Sequence, residues 1–158
     1  MSAYSSWPGP ARAMAEAVGA VVTAAQGGDA ERFGEALVEL RQVDGEQLSV
    51  VLGTLTRDLV ERTHPDGLDA DDAEALLDGT ITASAWYRDF DGDALLHALA
   101  DTLGVGLAEE ATPRDGFVVI THGLLLITYL LGVGRVRLAP VLDAALRELM
   151  REQTMELP

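Results

Sequence analysis

The chain has 158 residues, 48 % of them apolar and only 5 % aromatic, with 26 acidic against 11 basic side chains and a formal charge of −15. That length fits one domain with room for a sizeable core, and the acidity argues against nucleic acid or an anionic membrane as a direct partner. Cysteine is absent, which excludes disulfides, a thiol nucleophile and cysteine-held zinc or iron–sulfur centres.

Every basic residue is Arg and 23 residues are Ala. The missing Lys reads as coding bias, and the alanines favour helices in close contact over a β-sandwich. The opening MSAYSSWPGPARAM lacks a basic region followed by an apolar run, so no secretory leader is expected. Residues 1–10 read as an arm, 11–151 as one helical domain and 152–158 as a frayed tail.

A first helix is expected from Pro10 to about Gln26, with Met14, Ala17, Val18, Val21, Val22 and Ala25 as its apolar stripe. Gly27-Gly28 ends it and Asp29 caps the next, where Phe33, Ala36, Leu37 and Leu40 share a face. The third helix, about 45–63, carries Leu48, Val51, Leu52, Leu55 and Leu59, with Asp58 and Arg62 paired on its wet side. His64-Pro65-Asp66-Gly67 stops it. Asp69 opens an acid-rich fourth helix, which suits the positive end of the helix dipole. Gly79-Thr80 is expected to interrupt that helix before it resumes with Ile81, Ala85 and Trp86 facing inward.

Asp91-Gly92-Asp93 opens a fifth helix with Leu95, Leu96, Leu99 and Leu103 on one side, closed by Gly104 and Gly106. A short helical turn is expected before Pro113. Next comes Phe117 to Leu131, FVVITHGLLLITYLL, where eleven of fifteen residues are large and apolar. An all-round apolar helix needs cover on nearly every face, and fifteen residues fall short of the ~20 needed to span a bilayer. A last helix from about Pro140 presents Leu138, Val141, Leu142, Ala145, Leu146 and Leu149. The β-branched clusters FVVIT and RVRLA make strand the competing assignment for those two pieces.

The fold class expected is therefore all-α: an irregular bundle of six to seven helices around a buried central helix, 116–132. A weak two-helix repeat is suggested by Asp44-Gly45-Glu46 and Asp91-Gly92-Asp93, an offset of 47 residues with Arg41 and Arg88 in register.

Chemistry has few candidates. Asp93, His97 and Asp101, spaced i, i+4, i+8, form a helix face able to offer metal ligands, with His122 or Asp89 completing a shell, although the leucine stripe opposite turns that face to water. Asp89, Asp91 and Asp93 alternate like a calcium loop, but Ala94 and Ala100 stand where such a loop needs Gly and Glu. His122 lies within the apolar segment beside Gly123, either satisfied by one hydrogen bond or lining an apolar ligand pocket with Thr121, Thr128 and Tyr129. No phosphate loop, G-x-S-x-G or H-E-x-x-H occurs, and no cofactor is expected.

These features favour a non-enzymatic, acidic, cytoplasmic interaction module of adaptor, regulator or inhibitor type. It would meet a basic or mixed protein surface and self-associate as a homodimer through the central or last helix. A small-molecule or metal binder, or an enzyme, with a pocket around His122 is the alternative. An immunity-type or nucleic-acid-mimicking inhibitor is a third reading, and requires the carboxylates of 66–74 and 89–93 to form one surface.

Overall fold

The computed structural model describes residues 9–104 and 115–156. Seven helices and no strand occur among them: α1 Gly9–Gln26, α2 Ala30–Leu40, α3 Gly45–Thr63, α4 Ala70–Ala83, α5 Gly92–Leu103, α6 Gly116–Gly134 and α7 Leu138–Glu156. The expected turn before Pro113 falls outside the described residues, as do residues 1–8 of the arm and 157–158 of the tail. Helix α7 continues to Glu156, through most of the expected tail.

Aspartate starts most of these helices. Asp29, Asp44, Asp69, Asp91 and Asp115 each accept a hydrogen bond from a backbone N–H two or three residues further on, in the first turn of the helix they cap. Each cap is worth about 0.5–2 kcal/mol. At α4 the Asp72 carboxylate also reaches back to the Asp69 N–H, 3.1 Å, completing a reciprocal box. Part of the protein's acidity is thus spent on starting helices.

The central helix is α6. It packs against α1, α3, α4 and α5, while α7 lies on α3 and α1, and α2 forms a hairpin with α1. Leu124 to Ile127, Leu130 and Leu131 are buried, whereas Phe117 to Ile120 are half-covered and Gly132 to Gly134 exposed. The expected cover is complete in the middle and thins at both ends. With mean hydropathy 2.0 over an 18-residue window, α6, 19 residues long, is long and apolar enough to cross a membrane, a test that the core helix of a bundle also passes. FVVIT is helical rather than strand. RVRLA is the α6–α7 corner: Arg135 adopts a left-handed conformation, φ 53°, and the Val136 N–H returns to the Leu131 carbonyl, 3.0 Å.

Two expected faces need correction. Helix α4 is continuous through Gly79-Thr80, and its inner face is Leu76, Thr80 and Ser84, all buried, whereas Ile81 is 45 % exposed and Ala85 also faces out. Gly79 is helical because Tyr129 of α6 lies across it, in the space that a Cβ would fill. On α5 the buried side is Ala94, Leu95, Ala98 and Leu99, leaving Leu96 at 42 % and Leu103 at 39 % exposed. Small residues win that side because α5 comes close to α6, where an added Cβ on Gly123 would lie 3.9 Å from that of Ala98.

Candidate functional site

His122 is 1 % exposed, with both ring nitrogens engaged. Nδ1 lies 2.8 Å from the Val118 carbonyl, which can only accept, so Nδ1 carries the proton. Nε2 accepts from the Asp91 N–H at 2.8 Å. The ring is therefore a neutral Nδ1–H tautomer. Burial lowers its pKa below the usual histidine value, against the opposing pull of the Val118 hydrogen bond and the Asp91 carboxylate. Of the side-chain hydrogen bonds between described residues, the Asp91–His122 bond alone joins positions more than four apart. It ties the start of α5 to the middle of α6.

The segment between α4 and α5 is packed with rings around that tie. Trp86 and Tyr87 each meet Phe33 edge-on at 5.0 Å, and Phe90 meets His122 edge-on at 5.1 Å. Burial first, then the Asp89 carboxylate, pushes the Tyr87 phenol upward, so it stays protonated.

The four residues grouped as ligand-binding do not share one cavity. The Thr121 hydroxyl donates to the Phe117 carbonyl, 2.9 Å, and Thr128 to that of Leu124, 2.8 Å, each one turn back. Thr128 and Tyr129 sit two helical turns beyond Thr121 and His122. There they line a pocket of about 440 Å³ between the C-terminal ends of α1, α4 and α6, with Gln26, Ser84, Trp86 and Val133. Ser84, a residue without a sequence signal of its own, is the unusual member. It is 3 % exposed, and its hydroxyl has no hydrogen-bond partner among the described residues. The other buried polar side chains, Thr56, Thr80, Thr121 and His122, are all bonded.

The proposed metal face divides as well. His97, half-buried, and Asp101, exposed, border a groove of about 500 Å³ with Ser49, Thr56 and Arg57 of α3 and Val119 and Ile120 of α6. Asp93, exposed at the start of α5, is not part of that lining. Among the described residues no group of three or more His, Asp or Glu is placed to hold a metal ion.

A third groove, about 1130 Å³, runs between α1, α2 and the start of α7. Gly19, Ala20 and Ala36 line it together with the acids Glu16, Asp29, Glu35 and Glu39 and the arginines Arg32 and Arg137. These three glutamates are exposed and make no ion pair with a described residue. The ion pairs between described residues are local and exposed instead, such as Asp58–Arg62 at 3.2 Å.

The acidic run 66–74 covers the start of α4 and the run 89–93 lies past its C-terminal end. The stretch from Asp72 to Ser84 alone spans roughly 18 Å of helix axis.

No protein-family model matches this chain, and neither the curated proteins nor the solved structures include a match.

Proposed function

We propose that this protein is a non-catalytic, acidic helical interaction module of the cytoplasm, acting as an adaptor, regulator or inhibitor of a partner with a basic or mixed surface. One observation carries the reading: the groove over the α1–α2 hairpin combines small residues with an acidic excess, four carboxylates (Glu16, Asp29, Glu35 and Glu39) against two arginines (Arg32 and Arg137), and the three glutamates make no ion pair with a described residue. The small residues Gly19, Ala20 and Ala36 leave room for the backbone or short side chains of a partner segment. Carboxylates along the rim favour Arg or Lys on that segment, and the net charge of −15 speeds the encounter.

Self-association belongs to the same reading. Among the described residues, α6 exposes Val133 at 51 % and α7 exposes Met150 at 36 %.

Photo-crosslinking in cells from a probe amino acid at Ala20 tests the groove. A protein captured by the parent chain should be lost on combined Glu16→Lys, Glu35→Lys and Glu39→Lys, and retained by the control Glu61→Lys on α3. Equal capture by both variants, or none by the parent, sinks the reading. Light scattering that gives the monomer mass at every concentration removes self-association and leaves the hetero-partner.

A further inference from the structure

We infer that the pocket between the C-terminal ends of α1, α4 and α6 is a binding site for a small organic cation, an amine carried on a flat or short apolar body. Three features of the pocket point the same way. First, the walls are aromatic and apolar. Trp86 and Tyr129 line the pocket with Leu125 and Val133, and a cation held over an aromatic face is attracted by the ring quadrupole.

Second, the last turns of three helices contribute to the lining and no charged side chain does. Ala25 and Gln26 belong to the last turn of α1, Ala83 is the last residue of α4, and Gly132 and Val133 belong to the last turn of α6. A helix C-terminus carries partial negative charge, and residues from three such ends line this space. No charged side chain is among the lining residues, so no Arg blocks the site and no carboxylate takes up the potential as a local ion pair.

Third, the Ser84 hydroxyl is buried in the lining without a partner among the described residues. A serine near a helix end ordinarily bonds back to the preceding turn, as Thr56, Thr80, Thr121 and Thr128 do here. An unmet buried hydroxyl costs stability, and an ammonium N–H would meet it. A pocket of about 440 Å³ suits a compact molecule. This site stands apart from the α1–α2 groove and does not depend on it.

The test uses three probes of one size and shape that differ in charge: benzylammonium, benzyl alcohol and benzoate. Binding to the full chain is followed by the Trp86 indole N–H resonance and by Trp86 fluorescence in a Trp7→Phe background. Benzylammonium should bind saturably and about tenfold more tightly than benzyl alcohol, with benzoate weakest. Gly132→Leu adds bulk at a lining residue, from an exposed helical position where an added Cβ meets nothing within 4 Å, so the variant should fold and lose benzylammonium binding. It leaves the net charge unchanged, which separates the pocket from general attraction to an acidic surface. Ser84→Ala should weaken benzylammonium binding while raising the melting temperature. Equal affinity for the three probes, binding that survives Gly132→Leu, or no saturable binding of benzylammonium each overturns the inference.

Discussion

The two halves of α6 solve the same problem in opposite ways. Around His122 a polar ring is buried at 1 % exposure and both its nitrogens are paired, one to its own helix and one to the backbone that begins α5. Around Tyr129, two turns on, the buried polar atom is the Ser84 hydroxyl, and nothing in the described chain pairs with it. The first arrangement is what a fold needs to close. The second is what a fold carries at its own expense, and it lies in a pocket. Satisfaction of buried polar atoms therefore separates a structural histidine from a candidate binding serine, although only the histidine looked functional in the sequence.

The sharpest way to break this contrast is His122→Ala. It leaves the Asp91 N–H without an acceptor and opens space beside Phe90, and should cost about 2–4 kcal/mol, read as a lower urea midpoint. A loss under about 0.5 kcal/mol would show that the tie between α5 and α6 is not structural. Next comes the contact that sets the other half. Gly79→Ala forces Tyr129 aside and should cost about 1–3 kcal/mol despite the better helix propensity of Ala. Adding Tyr129→Ala should remove that cost of the Gly79 change, since the two residues share one space.

The pH dependence follows from the neutral ring. His122 has a folded pKa below its unfolded value, so between the two the unfolded chain binds more protons and stability rises with pH. The contribution is complete above the unfolded value of about 6.5 and is lost as pH falls through the folded value, with a slope of at most about 1.4 kcal/mol per unit. Urea midpoints of the parent and His122→Gln, compared from neutral pH down toward the carboxylate range, should show the slope in the parent and a flatter line in the variant.

Smaller effects sharpen the comparison from the other side. Ser84→Ala should stabilise by about 1 kcal/mol, because it removes a hydroxyl that burial leaves unpaired. A destabilised variant would mean that the hydroxyl has a partner after all. Gly123→Ala should stabilise by a few tenths to about 1 kcal/mol, since the new methyl finds ordinary contact with Ala98 and the helix gains propensity. Thermal melts resolve both.

What could be read from the chain was the part encoded locally. The stripe Leu48, Val51, Leu52, Leu55 and Leu59 is the buried face of α3, and Asp29, Asp69 and Asp91 cap the helices they precede. Faces that depend on a neighbour were harder. Leucine outweighs alanine by hydropathy, which drew Leu96 and Leu103 inward on α5, but a close approach to α6 favours Ala94 and Ala98. Gly79 looked like a helix break because the side chain that lies across it is fifty residues away.

The site was less legible still. The burial of His122 could be foreseen from its apolar surroundings, but its second partner is a backbone amide 31 residues earlier. Thr128 and Tyr129 were grouped with His122 and Thr121, yet the pocket they line is completed by Trp86, Gln26 and Ser84 rather than by His122. The one trace of Ser84 in the sequence was its spacing of four from Thr80 and eight from Leu76, a helical face that the apparent break at Gly79 hid. The 47-residue offset dissolves into shared capping: Asp44 and Asp91 both start helices, but α3 has 19 residues and α5 has 12.

The Asp91 amide has a use beyond holding α5. Its proton is sequestered on a ring belonging to another helix, so it can exchange with deuterium only when the aromatic segment 84–91 lifts away from α6. Amides inside α6 exchange only when the central helix itself opens. The ratio of the two rates would report how often this segment detaches while the rest of the bundle stays folded.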